Sequence, residues 1–397
     1  MSGPPMSGET SRGARWAATM AGYSGPVRLA HADSHARLGP MSVDPAADTG
    51  AGREGGVERP VGREQREGLE DELLAPGATR ASGAGRRALP EEADAWRTCF
   101  ERDRDRILHA PSFRRLAGKT QVFVFPQDHQ RTRLTHALEV AQVATAIARA
   151  CGLNVALTEA IALGHDCGHG PGGHASEDAL DPYVPGGFDH APWGARVSLA
   201  SLNLCAETLD GIANHSWSRP APSTPEGEVV SWADRIAYVC HDWEDAVLAG
   251  IVAAHQLPAT VRSLCGERRS AQLNAFIAGV VSASLRTGQV GMEEEGAEAL
   301  AAFRSCNYER IYLREASLRQ GEAVTGVLRA LVEHFSDRPH LITDRTGAGT
   351  DDIVAGSPDA IRAAVTYVAG MTDRFAFRQA VALLGWDPAK LPAGVDG

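Results

Sequence analysis

Thr135-His136-Ala137-Leu138-Glu139-Val140-Ala141-Gln142-Val143-Ala144-Thr145-Ala146-Ile147-Ala148-Arg149-Ala150 decides the fold class. Leu138, Ala141, Ala144, Ile147 and Ala148 recur at spacings of three and four, the period of one helical face, and Gly152 follows as a stop. Asn154 to Leu163 repeats the pattern with Asn154 as its N-cap. Downstream, Val229–Ile251, Ala271–Leu285, Tyr308–Leu318, Glu322–Phe335 and Ser357–Val368 read as helices. Upstream, Glu91–Ile107 does so too, with Pro90 at its first turn. Strand-like alternation is confined to short pieces such as Thr120–Phe125. Gly168–Gly173, Pro182–Gly187 and Pro220–Gly227 are loops. The expected class is all-α, a helical bundle with short loops and a minor β-hairpin at most.

Residues 1–90 are rich in Gly, Pro, Ala, Arg and Glu, poor in aromatics and without sustained periodicity. Such composition buries too little apolar surface to offset the entropy of ordering, so a disordered tail is expected there. Met20 and Met41 are alternative first residues. The ordered unit is expected over 91–390, with its core region at about 130–250 and a C-terminal helical part at about 270–390.

A chain of 397 residues with 43% hydrophobic content is long enough for a large core. It has no run of about eighteen apolar residues and no secretory start, so a cytoplasmic protein without membrane partners is expected. Seven scattered cysteines with no C-x-x-C pair indicate neither a disulfide framework nor a zinc-thiolate site. A net charge of -11 argues against strong attraction to nucleic acid over the whole surface. Single-stranded nucleic acid as a partner is therefore not indicated, and an anionic substrate must meet a local basic patch or a metal.

His165 and Asp166 end a helical run just before Cys167-Gly168-His169-Gly170-Pro171-Gly172-Gly173. Within a helix, neighbours point about 100° apart; at a helix end the backbone can turn both side chains toward one ion, and the glycines allow it. Two ligands do not make a stable site. His136 lies on the preceding helix, and Asp234 sits in an otherwise apolar helical face, where a carboxylate is costly unless paired or metal-bound. His136, His165, Asp166 and Asp234 give a mixed N/O set suited to Mn, Fe, Co, Ni or Zn, and less strictly to Mg. The plain alternative is His165 as a helix C-terminal residue interacting with the dipole.

These residues resemble the HD-domain deoxynucleoside triphosphate triphosphohydrolases, the deoxyguanosinetriphosphate triphosphohydrolase group. The likeness runs from about Phe100 to Ala376. It is carried by Phe113-Arg114-Arg115-Leu116 with Lys119-Thr120-Gln121-Val122, by Arg131 to Val140, and by His165 to Glu177. Ala233 to Tyr238 with Asp242 and Asp245, and Ala369 to Ala376, complete it. Two departures touch the substrate side. The glycine loop reads Gly170-Pro171-Gly172-Gly173 where many members have two prolines and a phenylalanine, and the segment between Asn214 and Asp234 is short.

The resemblance implies an HD-domain bundle with one divalent ion per site. It also implies cleavage of a dNTP, dGTP or several, to deoxynucleoside and inorganic triphosphate. An alkoxide leaving group needs a general acid. His174 is the candidate, with Glu177 three residues on to orient it if the segment is helical. His190 resembles a second active-site histidine, and His169 is a candidate for binding phosphate or holding a ligand.

Arg133, one turn before His136, and Arg235 resemble phosphate-binding positions. Lys119, Arg114 and Arg131 are weaker candidates, Arg304 reaches from a later helix, and Gln121 and Tyr312 join the substrate set. Asp234, Tyr238 and Asp242 form a stripe at steps of four, and the resemblance gives Tyr238 the sugar face and Asp242 the 3′-hydroxyl. A homo-oligomer and an allosteric nucleotide are expected by analogy only. The rivals are an HD phosphohydrolase for a nucleoside monophosphate, cyclic dinucleotide or alarmone, and a non-catalytic nucleotide sensor.

Overall fold

Thr132 fixes where the first site helix begins. Its hydroxyl accepts the Thr135 amide at 3.4 Å while the Thr135 hydroxyl accepts the Thr132 amide at 3.0 Å, so two amides at the helix start are satisfied reciprocally. The computed structural model describes residues 61–126, 129–342 and 352–392. Its main helices in chain order are α1 (Arg63–Leu73), α2 (Cys99–His109), α3 (Arg133–Cys151), α4 (Val155–Gly164), α5 (Ala175–Leu180) and α6 (Ala206–Asn214). They continue as α7 (Pro225–Leu248), α8 (Arg269–Thr287), α9 (Glu294–Asn307), α10 (Glu315–Asp337), α11 (Pro358–Ala369) and α12 (Asp373–Leu384). The fold is all-α. Among the described residues there is no strand, and the alternation at 120–125 yields only an isolated bridge between Thr120 and Thr132. No helix is long and apolar enough to cross a membrane.

Helix α3 is terminated as its sequence suggests, by Gly152 at φ 66°. Asn154 caps α4 by accepting the Leu157 amide at 3.2 Å. Alanines 137, 144 and 148 of α3 are fully buried, and their small side chains let α3 lie closely against α4 and α7. Val140, Ile147, Ile161, Ile236 and Val239 fill the space between. A second apolar core gathers Val324, Leu328, Leu331 and Phe335 of α10 with Val365 and Val368 of α11 and Phe377 of α12.

Several boundaries differ from the sequence reading. Residues 61–90, expected within a tail, carry α1 and are tied to the bundle. Thr79 donates through its amide and hydroxyl to buried Glu226 at 3.0 and 2.7 Å, Asn154 donates to Glu70 at 3.1 Å, and Arg87 pairs with buried Asp103 at 2.7 Å. Polar anchoring of this kind leaves no apolar period. The remainder of the expected tail, with Met20 and Met41, lies outside the described residues. Helix α2 starts at Cys99 rather than Glu91 because Asp94 turns the chain by accepting the Trp96 and Arg97 amides, and Thr98 with Glu101 forms the capping box. Tyr308–Tyr312 is a π-helical turn continuing from α9, and one helix, α10, spans Gly321 unbroken. Helices α6, α9 and α12 were not anticipated.

Candidate functional site

His165 lies at the C-terminal end of α4, where its Nδ1 donates to the Ala162 carbonyl at 2.6 Å. A carbonyl only accepts, so the neutral ring keeps its lone pair on Nε2. That atom lies 3.3 Å from His136 Nε2, brought in by α3, and 3.7 Å from Asp234 Oδ1, brought in by α7. His136 Nε2 is 3.1 Å from Asp234 Oδ1 and 3.7 Å from Asp166 Oδ2. Asp166 Oδ1 is 3.5 Å from His165 Nε2. All four expected ligands therefore converge.

Their chemistry fits a divalent cation. His136 Nδ1 lies 3.1 Å from His241 Nε2, and His241 Nδ1 lies 2.6 Å from Glu139 Oε2. With Glu139 accepting from His241 and His241 from His136, the His136 lone pair also points inward. Two lone pairs and two carboxylates then face one point, an arrangement a positive ion relieves.

Electrostatics keep the carboxylates charged. Burial alone would raise the pKa of Asp166, but Arg133, with Nη1 2.7 Å from Oδ2, and the nearby histidines hold it well below the usual range. Asp234 is likewise held low, because the hydrogen bond from His136 and the charge of His165 outweigh burial. Burial lowers His165. Burial, followed by repulsion from Arg133, puts His169 well below the ordinary imidazole value.

These residues form the floor of a cleft of about 960 Å³. His174 stands at its mouth, its side chain 74% exposed, with Nδ1 3.2 Å from Glu177 Oε2. Glu177 is also 2.5 Å from His190 Nδ1 through its other oxygen. Although burial pushes Glu177 up, these two histidine contacts hold it below the usual carboxylate range. His169 stacks on His190 at 3.7 Å between ring centroids. Its Nε2 is 3.2 Å from Asp166 Oδ1 without hydrogen-bond alignment, and neither ring nitrogen has a hydrogen-bond partner.

The expected substrate residues line the same cleft, with one exception. Arg133 uses Nη1 on Asp166 and keeps Nε and Nη2 buried without partners. Arg235 lies over the Trp217 ring, 3.6 Å from its centroid. Arg304 Nε donates to the Tyr238 hydroxyl at 3.0 Å, and Tyr312 donates to Asp242 Oδ2 at 2.5 Å. Asp242 Oδ1 is buried and unpartnered, as is Gln121 Oε1. Burial pushes Asp242 up to about 7. Lys119 corrects the sequence reading: its ammonium is buried, donates to the His169 and Ala369 carbonyls, and lines no part of the cleft wall. Burial lowers it to about 7. The weaker candidates Arg114 and Arg131 are also engaged elsewhere, Arg131 with Glu139, Glu244 and Asp245.

Sequence reasoning missed His215, His241 and Trp217. His241 follows Asp234 by seven residues, two helical turns, so it falls on the same face of α7. His215 just follows α6 as His165 just follows α4, and it donates Nδ1 to the carbonyl three residues back in the same way.

Residues 133–239 match the HD domain model, and residues 290–381 match the phosphohydrolase-associated domain. A deoxyguanosinetriphosphate triphosphohydrolase-like protein of Caldanaerobacter subterraneus subsp. tengcongensis is 40% identical over 321 residues, 79% of this chain and 93% of the relative. One of Clostridium perfringens (strain SM101 / Type A) is 39% identical over 311 residues, covering 73% and 88%. One of Desulfatibacillum aliphaticivorans is 37% identical over 339 residues, covering 79% and 95%. The matched HD segment opens at Arg133 and closes just after Tyr238, so it encloses every side chain of the cleft floor described above. With that segment and near full-length relatives in agreement, the chain belongs to the deoxyguanosinetriphosphate triphosphohydrolase-like family of HD-domain phosphohydrolases.

Proposed function

We propose that the protein hydrolyses deoxynucleoside triphosphates at the bond between the α-phosphorus and the 5′ oxygen, releasing deoxynucleoside and inorganic triphosphate. The observation that carries this reading is the gathering of His136, His165, Asp166 and Asp234 on the floor of a cleft whose walls hold Arg133, Arg235 and Arg304. The names of the relatives point the same way, with dGTP among the candidate substrates.

A divalent ion held by those four side chains supplies charge to polarise a phosphoryl oxygen and lower the pKa of water. The remaining chemistry belongs to the chain. Glu177 holds His174 Nδ1, which leaves Nε2 free to face a leaving group. As the water oxygen bonds to the α-phosphorus and the bond to the 5′ oxygen breaks, protonated His174 gives its proton to that oxygen. Water releases a proton, and His174 recovers one from solvent.

Arg133, Arg235 and Arg304 meet the phosphate charge that an acidic protein otherwise repels. Asp242 Oδ1, buried and unpartnered, accepts the 3′-hydroxyl, while the Tyr238 ring beneath C2′ disfavours ribose. The test is incubation with each of the four dNTPs and the matching ribonucleotides, with Mn, Mg or Co, followed by separation of the products. Triphosphate with free deoxynucleoside is expected. Release of orthophosphate or pyrophosphate instead, or turnover of a monophosphate or an alarmone alone, overturns the reading.

A further inference from the structure

A second pair of histidines meets through lone pairs. His215 Nδ1 donates to the Ile212 carbonyl at 2.8 Å, so its neutral ring keeps the lone pair on Nε2. His190 Nδ1 lies 2.5 Å from the Glu177 carboxylate, which fixes its ring the same way. The two Nε2 atoms face each other at 3.2 Å. Both rings are buried, at 2% and 7% exposure. The geometry repeats that of His165 and His136, whose Nε2 atoms lie 3.3 Å apart. Metal-binding histidines as a rule donate their other ring N–H to a carboxylate or a backbone carbonyl; His190 does the first and His215 the second.

Asp166 stands between the two pairs. Its Oδ2 is turned to His136 and Arg133, while its Oδ1 is 4.0 Å from His190 Nε2 and 3.5 Å from His165 Nε2. Ligand atoms of His165, Asp166 and His215 lie within 4.8 Å of one another. We propose that His190, His215 and Asp166 form a second divalent-cation site, with Asp166 bridging it to the ion gripped by His136, His165 and Asp234. Two imidazole nitrogens and a carboxylate oxygen suit Mn, Fe, Co or Zn. The inference does not depend on which nucleotide is cleaved. A proton shared between His190 and His215 is the competing account of the 3.2 Å contact.

The full chain, stripped with chelator and dialysed against Mn(II), decides between them by bound metal per chain and by electron paramagnetic resonance. Two ions per chain, with the signal of an exchange-coupled pair, are expected. His215→Ala and the closer replacement His215→Gln each reduce binding to one ion, and Asp166→Ala abolishes the coupled signal. One ion in the unsubstituted protein overturns the second site and leaves the first standing; none overturns both. Two ions in the parent and in both His215 variants also overturn the proposal, because the extra ion then lies elsewhere. Should the variants fail to fold, a spectrum of isolated ions alone in the parent overturns it.

Discussion

Replacing Asp166 by alanine removes both the carboxylate nearest His136, His165 and His169 and the partner of buried Arg133. Metal binding and turnover are expected to disappear together. His174→Ala acts differently, because His174 is exposed and contacts only Glu177 and ring neighbours. It is expected to keep its metal and lose turnover by about 10²–10⁴-fold, the usual weight of general acid–base catalysis. Parallel metal analysis and rate measurement check the division, and equal metal loss in both variants would contradict it. Asp242 yields a prediction about pH. Its folded pKa of about 7 exceeds the ordinary value of 3.8, so between those values the folded state holds more protons than the unfolded one. Stability from this group is fully present below about pH 4 and is lost as pH rises through about 7. Asp242→Asn should therefore melt above the parent at pH 8, with the gap closing toward pH 4.

At the scale of elements, the bend after α4 rests on Gly168. A Cβ there would lie 1.9 Å from the His190 carbonyl oxygen and 2.4 Å from the Gly194 amide, both main-chain atoms. Gly168→Ala is expected to lower stability by roughly 1–3 kcal/mol, the cost of overpacking, and to weaken metal retention by moving His190; thermal melting with metal titration measures both. The sequence made much of this layer legible. Helices α3, α4 and α7 show their period, and three of them deliver His136, the His165-Asp166 pair and Asp234 to one point. What stayed hidden depended on tertiary partners. His241 matters because α7 places it against His136, and α6, which ends before His215, shows little beyond a short mixed pattern. Lys119 sits in a motif that suggests phosphate contact, yet packing turns it to two carbonyls.

For the whole molecule, composition draws a boundary near residue 90 that the structure does not respect. A protein starting at residue 91 loses Thr79 from Glu226 and Arg87 from Asp103, leaving two fully buried carboxylates short of partners. Breaking a buried ion pair costs about 3–5 kcal/mol, so this protein should melt well below one starting at residue 61; equal melting temperatures would show that the segment only decorates the bundle. A second long-range tie runs the other way. Asp373, the first residue of α12, accepts the Gly172 amide at 2.8 Å and the Thr120 amide and hydroxyl at 2.9 and 2.6 Å, beside the Lys119 clamp on Ala369. During synthesis the cation-gripping side chains leave the ribosome long before that aspartate does. A nascent chain thus carries an unfinished glycine loop until its translation is nearly over, and a message cut short late in the reading frame yields protein with every ligand present and no firm mould to hold them.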